Sequence, residues 1–178
     1  RFHRIVATQD WHPRHHASFA SNHPGRKPFD EIDLGGVAQT LWPDHCVQHT
    51  AGAAFHDELH IPHAELVLRK GYHREIDSYS AFYENDRKTA TGLSGYLRER
   101  GFIRVFIAGL AFDFCVRYSA EDAQREGFDV VSVPVNHRER TRGKSKYGLH
   151  NRLWVGIVDL FGVMWLIRRS RRPEIVGE

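Results

Sequence analysis

Short runs of apolar and β-branched residues alternate with stretches of helical period along the first 133 positions. Arg4 to Gln9 (RIVATQ) predicts a strand that stops before Pro13, because proline cannot continue a central strand. Residues 20–40 carry Pro24, Gly25, Pro28, Gly35 and Gly36 and no long periodic segment, which predicts an irregular excursion of the kind that walls active sites. Glu65 to Lys70 predicts a second buried strand. From Thr89 the spacing turns helical, with Leu93, Tyr96 and Leu97 on one face and Gly101 as a stop signal. Val105 to Leu110 predicts a third strand, Val116 to Glu126 a helix ended by Gly127, and Phe128 to Val133 a fourth strand. This order predicts an α/β fold, a parallel sheet flanked by helices in three layers.

In such sheets ligands bind beyond the carboxyl ends of the strands. Asp10, His12, Lys70 and Cys115 all fall at such ends, and their convergence on one crevice argues for an enzyme. Asp10 and His12, two apart in extended chain, project to one side and make half of a metal site; the plainer reading is a polar loop with incidental histidines. Cys115 sits where a strand turns into a helix, so free N–H groups and the helix dipole favour its thiolate; the plainer reading is a buried structural cysteine. Lys70 can stabilise negative charge at a strand end, against the commoner surface lysine at a turn. In Leu41-Trp-Pro-Asp-His-Cys-Val-Gln48, His45 can supply a third ligand and Trp42 a flat apolar face, or the segment is a packed loop. Cys46 is a rival nucleophile, ranked lower because no strand-to-helix junction lies there. His56 to His60 resembles a zinc-binding H-E-x-x-H helix only loosely, and Pro62 limits any helix, so it reads as a solvated short helix.

The chain has 178 residues, 41% hydrophobic and 26% charged, which suits one globular domain with a real core. Two cysteines make no disulfide framework and point to the cytoplasm. The first residues are not a signal peptide, and the lack of an initial Met reads as a start inside a longer protein. Residues 1–133 carry 15 Lys/Arg against 18 Asp/Glu, whereas residues 134–178 carry 10 against 4. The basic excess therefore belongs to the tail, unlike a uniformly basic nucleic-acid binder. Leu153 to Ile167 is apolar, but it contains Asp159 and falls short of the ~20 residues a spanning helix needs. The basic run Arg168 to Arg172 belongs to no recognisable nucleic-acid module.

Five ordered segments resemble the nicotinamidase/pyrazinamidase group of isochorismatase-like cysteine hydrolases. They are A-T-Q-D-W-H-P with H-x-S-F-A, L-W-P-D-H-C-V-Q, R-K-G, I-D-S-Y-S-A-F and G-L-A-x-D-x-C-V, covering roughly residues 4–133. The resemblance implies hydrolysis of nicotinamide to nicotinic acid and ammonia, a step of NAD salvage. It implies Cys115 as nucleophile with Lys70 as catalytic companion, and an oxyanion hole from the N–H groups of Ala111 and Cys115 after a cis Leu110–Ala111 peptide. It implies a divalent metal on Asp10, His12 and His45, with His16 as ligand or close neighbour. Zinc is the first choice, with iron or manganese as alternatives. Trp42 and Tyr79 would line the substrate pocket. The implied partner is a small molecule, nicotinamide or an analogue, with homo-oligomerisation left open and no membrane or specific nucleic-acid partner.

The chain departs from that pattern at three places. No segment matches the family's first strand with its catalytic aspartate, since Asp10 matches the metal aspartate, so the fold is expected to be incomplete at the N-terminus. From Pro134 the family's continuation is lost, which divides the chain into a hydrolase domain, 1–133, and a basic divergent tail, 134–178, frame-shifted, fused or disordered. Phe112 replaces a smaller residue and either crowds the pocket or turns outward. Two alternatives stand beside the leading reading: a related amidase with another substrate, and an inactive metal-binding remnant of the family.

Overall fold

A parallel two-strand ladder joins β1 (Ile5–Asp10) to β4 (Ala64–Lys70), with Gln9 opposite Arg69 and Asp10 opposite Lys70. The computed structural model describes residues 4–131 and Val133. Residues 4–131 lie in one unit, Arg1–Ser132. The tail expected over 134–178 falls outside the described residues.

Strand alternation explains the placement of the lysine. Along β4, Glu65, Val67 and Arg69 are exposed, while Leu66, Leu68 and Lys70 face inward. The register that follows sets the Asp10 backbone beside that of Lys70.

The apolar side of this ladder packs on a core of Ala81, Phe82, Leu93, Leu97, Ala123 and Phe128. Helix α1 (Leu93–Glu99) contributes Leu93 and Leu97, and α2 (Arg117–Arg125) contributes Ala123. Glu126, just beyond α2, binds Ser94, Tyr83 and Arg98, the last at 2.6 Å, and so ties the two helices together. The result is α/β, as the pattern of runs predicts, and the helices fall near their expected positions.

Three local expectations are corrected. Residues 31–40 are not irregular but form a hairpin of β2 (Glu31–Leu34) and β3 (Val37–Thr40). Its two-residue turn needs positive φ at both centres, and Gly35 (+64°) and Gly36 (+89°) supply it. His56 to His60 forms an exposed turn rather than a short helix. Among the described residues, the runs 105–110 and 128–131 form no strand, and one parallel bridge pairs Arg104 with Asp129. Ile103 (82%), just before the first run, and Leu110 (91%), at its end, are exposed to solvent rather than buried. Apolar composition predicted buried strands without showing what would pair with them.

Phe82 is 2% exposed at the centre of the core. Phe82→Ala is expected to cost about 3–5 kcal/mol in urea unfolding; a loss below about 1 kcal/mol would show that this cluster is not the core.

Candidate active site

Lys70 ends β4 with its ammonium 5% exposed and in contact with three partners. Nζ lies 2.6 Å from Asp10 Oδ1, donates to Ser78 O at 2.8 Å, and reaches Cys115 Sγ at 3.5 Å. Burial alone would push its pKa down. The negative charge of Asp10, with those of Cys115 and Asp77, outweighs burial and holds it above the ordinary lysine value. The group is therefore a fixed cation aimed at a thiol.

Cys115 lies in a widened turn, Phe112–Val116, that runs directly into α2. The turn is held from its far side. Ser119 Oγ donates to Cys115 O at 2.6 Å, and Ala81 N donates to Ser119 Oγ at 2.9 Å. The preceding Leu110–Ala111 peptide is cis, as the family resemblance implies. Burial dominates and pushes the thiol pKa up, while Lys70 and the Ala111 amide pull it down only in part. Cys46, the rival thiol, is also pushed up, first by burial and then by Asp10.

A second group adjoins the first. One ligand atom each from His12, His16 and Asp77, all buried, lies within 4.8 Å of the others. His12 is fixed by its backbone, with N donating to Cys46 O at 3.0 Å and O accepting from Gln48 N at 2.8 Å. Its Nε2 faces Asp77 Oδ1 at 3.3 Å, and its buried Nδ1 has no hydrogen-bond partner among the described residues. His16 Nδ1 meets Ser18 Oγ at 2.8 Å and Nε2 meets Ile76 O at 3.2 Å. Burial pushes the pKa of His16 down, which favours the neutral, ligating imidazole. Burial would raise the pKa of Asp77. The His12 hydrogen bond, the neighbouring imidazoles of His12 and His16 and the Ser78 amide overcome it and hold the carboxyl far below its usual range. Two imidazoles and an ionised carboxylate, with an orphaned buried nitrogen among them, fit a divalent ion.

The expected ligands divide between the two groups. The His45 ring stands 4.8 Å from that of His12, with its Nδ1 meeting Pro43 O at 2.8 Å. Asp10 is turned to Lys70 instead, and its Oδ1 has no other hydrogen-bond donor among the described residues. Asp77, absent from the expected ligands, stands with His12 and His16. Spacing could not reveal it, because 65 positions separate it from His12.

An aromatic wall flanks the thiol. Trp42 Nε1 donates to Tyr79 Oη at 3.1 Å and Gln39 Nε2 donates to it at 2.9 Å. Burial, then the nearby Asp77 charge, push the Tyr79 phenol up to about 12, so it stays neutral. The Phe114 ring sits 4.8 Å from Trp42 and 5.3 Å from Tyr79. Phe112 turns outward, 78% exposed, and does not crowd this wall. Phe114 and Gln39 are the wall residues that the sequence reading missed.

The Isochorismatase domain family matches residues 4–153, and so runs on past Val133. The chain belongs to the isochorismatase family. Among curated relatives, a nicotinamidase of Acinetobacter baylyi is 58% identical over 128 residues, which is 72% of this chain and 60% of the relative. A solved nicotinamidase/pyrazinamidase of Acinetobacter baumanii is 56% identical with a TM-score of 0.70, over 71% of this chain and 61% of that one. A pyrazinamidase of Pyrococcus horikoshii, solved in complex with zinc, is 36% identical with a TM-score of 0.53, over 71% of this chain and 57% of that one. The chain thus spans about 60% of the length of the first of these relatives. Among the described residues, no helix is long and apolar enough to cross a membrane.

The electrostatics yield a measurable sign. Lys70 lowers the Cys115 pKa against burial, so Lys70→Met removes thiolate at any fixed pH below the thiol pKa. Alkylation of Cys115 by iodoacetamide, followed by peptide mass, is expected to titrate above an ordinary cysteine and to slow in Lys70→Met. A midpoint below an ordinary cysteine, or a faster variant, would refute this account of the site.

Proposed function

We propose that this chain forms the larger part of a metal-assisted cysteine amidohydrolase that converts nicotinamide to nicotinic acid and ammonia. The observation that carries this reading is the run of contacts from Asp10 through Lys70 to Cys115, set beside the buried His12, His16 and Asp77. The relatives named as nicotinamidases support the substrate.

An amide is a weak electrophile, so its hydrolysis needs both a strong nucleophile and a stabilised oxyanion. In this reading Cys115 Sγ attacks the amide carbon and forms a thioester. The Lys70 ammonium, 3.5 Å from Sγ, steadies the thiolate as it forms. As Lys70 takes the thiol proton it gives one of its own to a carboxylate, in this reading the aspartate of the family's first strand, and that carboxylic acid then protonates the leaving ammonia. The N–H groups of Ala111 and Cys115 receive the developing oxyanion. Trp42, Tyr79 and Phe114 give the ring an aromatic wall and exclude water. Water then cleaves the thioester to release the acid.

His12, with His16, Asp77 and the adjoining His45, would hold the metal, and Asp10 can complete the set. Bound there, the ion would supply a Lewis-acidic centre for substrate binding. Zinc is the ion we propose, supported by the nitrogen and oxygen donors and by the zinc-bearing relative. Cytoplasmic pyridine nucleotide metabolism is the proposed setting, supported by two free cysteines.

The assay is ammonia release from nicotinamide, in this chain and in a form extended by the amino-terminal strand of its relatives. The extended form is expected to turn over and the chain alone to do so weakly. Cys115→Ala should cost about a thousandfold or more in kcat. Full activity in Cys115→Ala would sink the thiol mechanism. Silence of both forms with about one equivalent of zinc bound would favour a metal-binding remnant of the family.

A further inference from the structure

The residue after Lys70 is Gly71, buried, with φ of +64°. Positive φ favours glycine at many turns, but here a second demand is added. A Cβ built on Gly71 would lie 2.6 Å from His12 Nε2, 2.9 Å from Cδ2 and 3.2 Å from Cε1. The first two distances are closer than carbon approaches such atoms without something moving.

The His12 ring has nowhere to go. It is 3% exposed. The rings of His16, His45 and Phe19 surround it at centroid distances of 4.7, 4.8 and 5.5 Å. Its main chain is pinned to Cys46 and Gln48, and the neighbouring Trp11 N donates to Lys70 O at 2.9 Å. The backbone that would carry the new atom is thus tied to the backbone that carries the ring. Neither can yield without disturbing the ladder end at Asp10 and Lys70.

Other glycines show that this demand is local. Gly35 has the same φ of +64°, yet a Cβ there would meet nothing within 4 Å. The same open space surrounds Gly92 and Gly101. Backbone conformation explains those glycines by itself and does not explain Gly71.

We infer that Gly71 is a positioning residue for His12: the missing side chain at the end of β4 is what lets the imidazole stand against the backbone, beside His16 and Asp77. Consecutive residues then serve the two groups of the site, Lys70 the thiol and Gly71 the metal-ligand cluster. This inference rests on the reading of His12 as a metal ligand, and its test separates the two.

The experiment compares the 178-residue chain with Gly71→Ala and Gly35→Ala. The matched φ puts both variants in the left-handed region that disfavours alanine, and only the first has the steric conflict. Cobalt(II) is titrated by its visible absorption, and the imidazole resonance of His12, assigned with His12→Ala, is followed by NMR without metal. Gly71→Ala is expected to weaken cobalt binding about tenfold or more, to alter the cobalt spectrum and to shift the His12 resonance, while Gly35→Ala does none of these. Cobalt binding within twofold of the parent chain, with an unmoved His12 resonance, would overturn the inference. If the parent chain binds no cobalt, the metal reading falls, and the His12 resonance alone decides the positioning role. If Gly71→Ala is insoluble, His12→Ala is added to it; recovery of soluble protein supports the steric conflict, and continued insolubility overturns it.

Discussion

A charged ammonium held 5% exposed is the constraint on which the site depends. An unpaired buried charge is costly enough that a lysine normally sheds its proton or its burial. Lys70 keeps both because Asp10, Ser78 O and Cys115 each take one direction of its three-donor head. Each partner arrives by a different route. Asp10 comes from the register of β1 on β4, Ser78 from the loop after Gly71, and Cys115 from the turn before α2. The requirement to satisfy one cation therefore draws three distant segments together. Removing any one would leave the other two arranged around a charge they cannot fully compensate.

Asp77 plays the corresponding part in the neighbouring group. It is buried and ionised at once, which only several donors can sustain. His12, Gln39 and the Ser78 amide supply them. Its charge adds to those of Asp10 and Cys115 in keeping Lys70 protonated, and to burial in keeping Tyr79 neutral. Asp77 thus balances cation and metal-ligand cluster alike, and the loop 77–80 links the two groups covalently, since Ser78 O is a partner of Lys70.

The legible parts of the fold were those with local causes. The run Glu65 to Lys70 foretold a strand ending at the lysine, and the spacing of Leu93, Tyr96 and Leu97 foretold α1. The i, i+2 relation put Asp10 and His12 at one strand end, though it did not foresee that Lys70 would claim Asp10. The Gly35-Gly36 turn was readable in principle, flanked by Ile32, Leu34 and Val37, but the surrounding prolines and glycines masked it. Asp77 was beyond reach for a different reason. Its meeting with His12 is set by tertiary packing, and no periodicity connects positions so far apart. The same limit applies to residues 105–110, whose apolar character does not say what they pack against or whether they join a ladder.

That run raises the question of what holds the nucleophile in place. Leu110 and Phe112 are 91% and 78% exposed, while Val105 and Ile107 pack on the core and Phe114 packs on Trp42 and Tyr79. The segment leaving Cys115 is well anchored. Ala123 of α2 is fully buried in the core, and Ser119 bridges the Cys115 carbonyl to the Ala81 amide. Cys115 is therefore held on its C-terminal side by α2 and the 78–82 segment. Ala81 and Phe82 belong to the same core, and Ser78 binds Lys70. One stretch of five residues thus sets the thiol through Ser119 and the ammonium through its own carbonyl. The separation of the two reacting groups depends on that shared stretch as well as on the sheet from which Lys70 projects.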